Sequence, residues 1–338
     1  MLFDRLTGTN VLITSDETKD LKRAAPRMVQ VALTNACNKT CSFCYRPLEA
    51  KSRWSFDDLM DLARACDEWG VLELAFGGGE PTLFPRFAEL LHCIWDETGL
   101  CPSFTTNGLR LTKELLRDIR GAYGQLQVSV YDEDDTGAII DLLVGERARF
   151  GLNYLVTPAR VRSLEADVLS FYARGVRDML FLSYKGDDAS LHLSEQETNM
   201  CDESLAKLYE LLGKRQMSLK VDVCWSRRLS LTPQLMNQDD CEANIDFISL
   251  TSDKRVLSCS FASGGVPFEH PREIRGIWES MQTQRIVAQS VGCARLPNYG
   301  FAQGGGTWRS ESGRRSLATT AAATVSLRDS LMRRPRPT

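Results

Sequence analysis

Short apolar runs alternate with amphipathic segments over most of the first 225 residues. "MVQVALT" (28–34) is rich in β-branched residues and predicts a buried strand. Comparable runs follow at "VLELAF", "CPSFTT", "LQVSVY", "LNYLVT", "RDMLFLSY" and "SLKVDVCW". The segments between them place apolar residues at helical spacing, over 55–70, 84–98, 112–122, 135–150, 163–174 and 194–213.

This alternation of strand and helix predicts βαβ units and a parallel sheet. The units are too few for a closed eight-fold barrel. We therefore expect an α/β fold with a partial (β/α)6 TIM-like barrel, whose chemistry lies at the carboxyl ends of the strands. Four polar segments fall at such ends: the cysteine loop after residue 34, "GGGEP", "TTNG" and "SVYDED".

The alternation stops near residue 225. In 225–300, "DFISLT" and "RVLSCSF" flank a turn at "SDK", and a helix is predicted near 271–290, which indicates a small C-terminal α+β domain. Residues 301–338 carry seven arginines against two acidic residues and predict a disordered basic tail. The predicted division is a lead-in over 1–27, a core over 28–224, the small domain over 225–300 and the tail.

Composition narrows the class of protein. The chain has 338 residues, 43% hydrophobic and 25% charged, with a net charge of −3. These values predict a globular protein that binds neither nucleic acid nor an anionic membrane. The acidic start has no secretion signal, and no apolar run spans a bilayer. We therefore expect a cytoplasmic location, where clustered cysteines more often bind metal than form disulfides.

Three cysteines stand within eight positions of "CNKTCSFC": Cys37, Cys41 and Cys44. Three thiolates can ligate three irons of a [4Fe–4S] cubane and leave the fourth iron open. A zinc site would need a fourth ligand, but no second C-x-x-C pair follows, and the three histidines lack metal-ligand spacing. The spacing therefore favours an iron–sulfur cluster.

"CNKTCSFC" resembles the C-x-x-x-C-x-aromatic-C signature of the radical S-adenosylmethionine (radical SAM) enzymes, and "GGGEP" after the second strand strengthens the resemblance, which covers 28–224. The resemblance implies that the open iron binds the methionine moiety of SAM. It also implies that an electron from the reduced cluster cleaves a C–S bond of SAM, giving a 5′-deoxyadenosyl radical that abstracts hydrogen from the substrate.

The resemblance also implies a set of SAM contacts. The three glycines of "GGGEP" let the backbone approach a ligand closely. A phosphate-binding loop is disfavoured there because no Lys-Ser/Thr follows the glycines. Two of these segments have an alternative to SAM binding: "TTNG" can be a plain turn, and "YLVT" can be ordinary core. The implied SAM-binding residues are Phe43, Gly77, Gly78, Gly79, Glu80, Thr106, Asn107, Ser129 and Val156.

Four later cysteines resemble the ligands of a SPASM or twitch extension, in which a hairpin between two cysteines holds an auxiliary iron–sulfur cluster. They are Cys224, Cys241, Cys259 and Cys293. A full SPASM domain has more cysteines, so one auxiliary [4Fe–4S] cluster is expected, with Cys224 as the uncertain fourth ligand. Buried thiols are the alternative, and core packing is expected for Cys66, Cys93, Cys101 and Cys201.

The predicted reaction is modification of a ribosomally made peptide or protein. The alternative is a dehydrogenase, epimerase or decarboxylase acting on a small molecule, such as an aminocyclitol, sugar or nucleoside, and a third possibility is a binding protein without catalysis. The lead-in is too short for a leader-binding domain. A flavodoxin- or ferredoxin-type electron donor is implied by the resemblance. Tyr184, Lys185 and Asp222 lie near predicted strand ends and are candidate substrate contacts.

Overall fold

A computed structural model describes residues 1–11, 17, 23–46, 51–132, 134–226, 228–232, 241–262 and 264–288. The chain begins with a small antiparallel pair, β1 (Leu2–Asp4) and β2 (Thr9–Val11). Arg5 ties this pair to the rest of the molecule by donating to the carbonyl oxygens of Trp95, Thr98 and Leu100. The predicted lead-in therefore contains ordered structure at its start.

The main sheet starts with seven parallel strands in sequence order. Helices connect them, and their apolar faces join the strands in one core. In chain order the elements are β3 (Met28–Thr34), α1 (Phe56–Trp69), β4 (Glu73–Gly78), α2 (Phe87–Glu97), β5 (Cys101–Thr106), α3 (Lys113–Asp118), β6 (Leu126–Ser129), α4 (Thr136–Gly145), β7 (Gly151–Val156), α5 (Leu164–Ala173), β8 (Asp178–Ser183), α6 (Glu195–Leu212) and β9 (Ser218–Val221).

The helix boundaries follow from capping residues visible in the sequence. Ser55 accepts from the backbone N–H of Asp58, whose carboxylate accepts in return from the Ser55 backbone. Ser194 and Glu197 form the same reciprocal pair at the start of α6. Each such cap satisfies backbone donors that the first helical turn leaves without partners, so both helices begin where the pattern predicts.

The sequence prediction is wrong at the end of the last parallel strand. "SLKVDVCW" was expected to be extended throughout, but β9 ends at Val221 and Val223–Ser226 form a one-turn helix, α7. The Asp222 carboxylate accepts from the Ser183 backbone N–H at 2.6 Å and binds the Lys185 ammonium at 2.7 Å. These bonds turn the chain across the end of β8, so Cys224 lies in α7 rather than in the strand.

The remaining described elements extend the sheet beyond its first parallel strand. They are β10 (Phe247–Leu250), β11 (Arg255–Leu257), β12 (Val266–Pro267) and α8 (Glu273–Ala288). The predicted hairpin is present, because β10 pairs antiparallel with β11; β10 also pairs parallel with β3. Of the helices in these ranges, none has the length and apolar character required for a membrane span.

Side chains outside the sheet hydrogen bonds also hold this extension in place. Arg27, just before β3, binds Asp246 at 2.8 Å and Glu73 at 3.0 Å. The Trp54 indole N–H donates to the Thr251 carbonyl oxygen at 3.1 Å. Together with the β3–β10 pairing, these contacts fix the hairpin against the first strand of the barrel, beside the cysteine loop.

Candidate active site

The glycine loop packs directly against the start of the cysteine loop. The Gly79 and Glu80 N–H groups donate to the carbonyl oxygens of Thr34 at 2.6 Å and Ala36 at 2.8 Å. Gly78 has φ of +118°, and a Cβ on Gly78 or Gly79 would overlap those same carbonyl groups. A Cβ on Gly77, by contrast, would meet nothing within 4 Å. Gly78 and Gly79 are therefore required by the protein itself, whereas Gly77 leaves room for a ligand.

Glu80 links the glycine loop to the end of β5. Its side chain is 1% exposed. One carboxylate oxygen accepts from the Thr82 N–H at 3.1 Å, the Thr82 hydroxyl at 2.6 Å and the Thr106 hydroxyl at 2.7 Å. The other accepts from the Asn107 N–H at 2.8 Å. A buried carboxylate needs such donors. In this structure Glu80 therefore links the glycine loop, "GGGEP", to the segment after β5, "TTNG", through hydrogen bonds.

Asn107 carries this linkage on to the cysteine loop. Its side-chain amide nitrogen donates to the side-chain oxygen Oδ1 of Asn38 at 2.7 Å and lies 4.0 Å from the Cys37 sulfur. The side chain is 4% exposed. Asn107 therefore does more than form an Asn-Gly turn, since it connects the end of β5 to the first cysteine.

Tyr131 anchors the opposite side of the cysteine loop. Its ring stacks on Phe43, with centroids 5.8 Å apart and planes 16° from parallel. The Lys39 ammonium lies 4.4 Å from the centre of the ring and pairs with Asp134 at 2.9 Å. Tyr131 also neighbours Cys41: burial raises the pKa of that thiol, and the interaction with Tyr131 partly offsets the rise. The loop is thus held between the ends of β5 and β6.

The three thiols suit a cluster better than a single ion. Cys37 and Cys41 are half-buried and Cys44 is exposed. Burial raises the pKa of Cys41. Tyr131 and Lys39 partly offset this rise, whereas the neighbouring Cys44 and Cys37 raise the pKa further. Within the described ranges, no three His, Cys, Asp or Glu side chains are grouped to hold one metal ion. In a cubane each thiolate binds a different iron, so three neighbouring thiols on one loop fit the ligand set of a [4Fe–4S] cluster.

The C-terminal extension touches the cysteine loop through one aromatic residue. Phe261, two residues beyond Cys259, packs on Tyr45 with ring centroids 4.5 Å apart. The Lys185 ammonium lies 4.9 Å from the centre of the same Phe261 ring and forms the buried pair with Asp222. The segment after β11 is thereby connected to the residue following Cys44 and to the turn that carries Cys224.

The second cysteine set is distributed over separate elements. Cys224 lies in α7, Cys241 precedes the extension and Cys259 follows β11; all three are half-buried. Cys293 lies outside the described residues, so its predicted ligand role has no structural counterpart here. Cys66, Cys101 and Cys201 are buried and Cys93 is half-buried, consistent with their expected packing role.

A small cavity at the ends of β7 and β8 contains two of the remaining predicted residues. Val156 and Cys224 line it with Tyr184 and His192, whose rings meet edge to face at 5.0 Å. Lys185 and Asp222, two of the candidate substrate contacts, are paired with each other instead. Sequence reasoning missed Asn38, Lys39 and Tyr131; the aromatic and acidic run "VYDEDD" directly after β6 was the available signal.

Fold and site together define a class: an α/β partial barrel of mainly parallel strands, with three cysteines at the carboxyl ends of the strands. The sequence model of the Radical SAM superfamily matches residues 31–145. This range includes the cysteine loop, the glycine loop, Asn107 and Tyr131. The chain therefore contains a radical SAM domain, as the resemblance of its motifs predicted.

Two curated relatives are enzymes by name. GTP 3′,8-cyclase of Actinobacillus pleuropneumoniae serotype 3 (strain JL03) is 29% identical over 124 residues, which are 35% of this chain and 36% of that protein. PqqA peptide cyclase of Ruegeria pomeroyi is 31% identical over 137 residues, 40% of this chain and 36% of that one. The match thus spans about a third of the length of each relative.

Solved structures share the fold. SuiB of Streptococcus suis bound to S-adenosylmethionine has a TM-score of 0.61 at 15% identity, covering 75% of this chain and 66% of that one. Native anSMEcpe with bound AdoMet has a TM-score of 0.57 at 15% identity, covering 71% and 76%. These likenesses confirm the predicted partial-barrel fold. A domain of this family implies a [4Fe–4S] cluster and SAM as cofactors.

Proposed function

We propose that this protein is a radical SAM enzyme that reductively cleaves S-adenosylmethionine and abstracts a hydrogen atom from a peptide substrate. The observation that carries the proposal is the convergence of "CNKTCSFC", "GGGEP" and Asn107 at one edge of the sheet, within a domain of that superfamily. A protein that had lost catalysis would have no need for three thiols beside an intact glycine loop.

Cys37, Cys41 and Cys44 would hold the cluster, which supplies the electron that splits SAM into methionine and the 5′-deoxyadenosyl radical. A flavodoxin- or ferredoxin-type donor would supply that electron to the cluster, and transfer of a substrate hydrogen atom to the radical would give 5′-deoxyadenosine. The open space at Gly77 suits the methionine amino group. Phe43, Ser129 and Val156 remain proposed SAM contacts, while Gly78, Gly79 and Glu80 hold the surrounding loops together and Thr106 and Asn107 serve that linkage.

Peptide modification is supported by the PqqA peptide cyclase match, whose name gives a peptide as substrate. A solved SuiB structure contains the precursor peptide SuiA, and its fold resembles this one. The second candidate is chemistry on a small molecule, which the GTP 3′,8-cyclase match favours at similar identity. The predicted cytoplasmic location, and the absence of nucleic-acid and membrane partners, remain predictions.

We further propose one auxiliary [4Fe–4S] cluster in a twitch-like extension, ligated by Cys241, Cys259 and Cys293, with Cys224 as the candidate fourth ligand. Two arrangements support it: the hairpin is fixed beside the cysteine loop, and Phe261 and Lys185 connect the segment after Cys259 to the turn bearing Cys224. An auxiliary cluster would accept the electron left after hydrogen abstraction, or bind substrate at an open iron.

One preparation tests both cluster assignments. Reconstituted full-length protein, reduced and given SAM, should produce 5′-deoxyadenosine, and its absence with the cluster verified by Mössbauer spectroscopy would reject the enzymatic function. The triple Cys37, Cys41 and Cys44 alanine variant should produce none. That variant should keep about four irons if a second cubane exists, and an iron-free variant would reject the auxiliary cluster.

Substrate class is tested by what accelerates SAM cleavage. Short peptides encoded beside the gene, and separately GTP and aminocyclitols, would be added to the reduced enzyme. The peptide assignment predicts that one peptide raises 5′-deoxyadenosine formation and that deuterium in that peptide appears in 5′-deoxyadenosine. Transfer of deuterium only from a small molecule would replace the peptide assignment with the second candidate.

A further inference from the structure

We propose that Asp134 positions the cysteine loop for cluster assembly, by holding the Lys39 ammonium in a buried ion pair. The inference rests on the proposed function, because it requires Cys37 and Cys41, which flank Lys39, to be cluster ligands. Asp134 belongs to the connection between β6 and α4, outside the cysteine and glycine motifs. It therefore acts on the cluster as a positioning residue and not as a ligand.

The cysteine loop has no regular secondary structure of its own. Residues 35–46 contain neither helix nor strand, and the Cys44 N–H donates to the Cys41 carbonyl oxygen in a turn at 3.0 Å. Contacts with the glycine loop and with the end of β5 hold the start of the loop, up to Asn38. The position of the following residues, between the first and second cysteines, therefore depends on side-chain contacts such as that of Lys39.

The side chain of Lys39 ends in a buried site. Its ammonium donates to both carboxylate oxygens of Asp134, at 2.9 Å and 3.1 Å, and lies 4.4 Å from the centre of the Tyr131 ring. The side chains of Lys39 and Asp134 are only 9% and 10% exposed. Tyr131 in turn stacks on Phe43, the residue before Cys44, at 5.8 Å. Because removing one partner of a buried pair leaves the other charge uncompensated, this site holds Lys39 only while Asp134 is ionised beside it.

The connection that carries Asp134 is fixed by the barrel. The Arg160 guanidinium, 8% exposed, binds Asp132 at 2.6 Å and donates to the Val130 carbonyl oxygen at 3.1 Å. At the other end of the connection, the Asp135 carboxylate accepts from a backbone N–H in the first turn of α4 at 2.9 Å and so caps that helix. These bonds do not involve the cysteine loop, so the connection can hold the loop in place before any cluster is bound.

Cluster binding is sensitive to such support. A cubane needs its thiolates at fixed positions, and residues that orient metal ligands from outside the ligand set commonly change metal affinity about 10–100-fold when they are substituted. Without the Asp134 carboxylate, the Lys39 ammonium would move toward solvent and displace the chain on either side of it, including Cys37 and Cys41. We therefore expect loss of the cluster without loss of the barrel.

The experiment measures the rate of iron loss to a chelator, without SAM, on full-length protein carrying Cys241→Ala and Cys259→Ala so that only the first cluster remains. Asp134→Asn keeps the size of the side chain and removes its charge. It should speed iron loss about tenfold, with unchanged far-ultraviolet circular dichroism of the cluster-free protein. Lys39→Met should do the same, whereas Lys39→Arg, which keeps a cation for Asp134, should lose iron at close to the parental rate.

A double variant tests whether Asp134 acts through Lys39. Asp134→Asn combined with Lys39→Met should lose iron no faster than the faster of the two single variants, because both substitutions remove the same bond. Losses that multiply in the double variant would show two separate effects and would overturn the inference.

Asp178→Asn is the matched control, since Asp178 pairs with Lys220 at 2.8 Å at the amino end of β8, at the opposite edge of the sheet from the cysteine loop. It should retain iron as the parent does. Parental retention in Asp134→Asn, or an equal loss in Asp178→Asn, would overturn the inference. Failure of Asp134→Asn to fold would also overturn it, by giving Asp134 a role in the barrel. A parent without a cluster would instead defeat the proposed function.

Discussion

The two cysteine regions of this molecule are built in opposite ways. Cys37, Cys41 and Cys44 lie on one short loop that contacts the end of β4 through backbone hydrogen bonds, the end of β5 through Asn107 and the end of β6 through the stacking of Phe43 on Tyr131. Cys224, Cys241 and Cys259 belong to three separate segments, and the described contacts of these segments with the barrel are long-range ones, such as the pairing of β10 with β3 and the packing of Phe261 on Tyr45.

The two regions differ in what positions their cysteines: contacts close in sequence in the first, and contacts between distant residues in the second. The first loop can present its thiols whenever its neighbouring strand ends are formed, because the ligands are close in sequence. The second set depends on contacts between residues more than 200 positions apart, such as Arg27 with Asp246 and Tyr45 with Phe261. We therefore expect substitutions in the first region to abolish SAM cleavage, and substitutions in the second to reduce iron content or stability without abolishing SAM cleavage.

Cysteine removal should give the largest contrast between the regions. Cys41→Ala should abolish 5′-deoxyadenosine formation, because the first cluster loses a ligand. Cys259→Ala should retain SAM cleavage while bound iron falls by about half. Iron analysis and chromatography of 5′-deoxyadenosine measure both, with Cys93→Ala, a half-buried helical cysteine, as the control. Equal loss of SAM cleavage in both variants would contradict the separation.

The glycine loop offers the next largest effect, from the same substitution at two nearby positions. Gly79→Ala places a Cβ against the Ala36 backbone and should cost about 3 kcal/mol of unfolding free energy. Gly77→Ala meets open space and should change stability by less than about 0.5 kcal/mol. Urea unfolding measures both. A weaker SAM affinity in Gly77→Ala alone would support the proposed SAM contact, whereas a stability loss there would contradict the geometry.

Glu80→Gln tests whether the buried carboxylate holds the glycine loop against the segment after β5. The amide replaces one acceptor by a donor, and this donor faces the N–H and O–H groups of Thr82, Thr106 or Asn107. We expect a loss of about 1.5–3 kcal/mol and reduced cluster retention. Glu89→Gln, an exposed residue paired with Arg86, should cost at most about 1 kcal/mol. Chemical unfolding and iron content provide the readouts, and equal stability for the two variants would reject this role.

Phe261→Ala should have a smaller effect because it removes one packing contact between the regions. Loss of the Tyr45 and Lys185 contacts should cost about 1–2 kcal/mol. The exposed Val266→Ala on β12 is the matched control and should be nearly neutral. Thermal unfolding and loss of iron in air would be compared. A Phe261→Ala protein as stable as the control would show that the two regions are not coupled through this ring.

The smallest expected effect is a difference in how fast individual cysteines are alkylated in the cluster-free protein at pH 8. Burial raises the pKa of Cys66 to about 12, which leaves about 10⁻⁴ of that thiol as the reactive thiolate. Cys44 is exposed and should react first with iodoacetamide, whereas Cys66 should react only after unfolding. Mass spectrometry of peptides against time checks the order. Early labelling of Cys66 would contradict its place in the core.

Local signals were enough to predict the barrel. Ser55 and Ser194 cap helices within a residue of the expected positions, and "CPSFTT" forms the predicted strand. The prediction failed at "SLKVDVCW", because the bonds of Asp222 to Ser183 and Lys185 override the β propensity of that run. A contact between residues some forty positions apart leaves no periodic pattern in the sequence.

The candidate site divides in the same way. The spacing of Cys37, Cys41 and Cys44 was determined by the sequence alone, because neighbouring residues on one loop stay close in any fold. Only the tertiary structure decided that Glu80 links two loops, that Tyr131 stacks on Phe43, and that Phe261 joins the extension to Tyr45. Each of these contacts joins separate strand ends, and it is the register of the parallel sheet that brings those ends together.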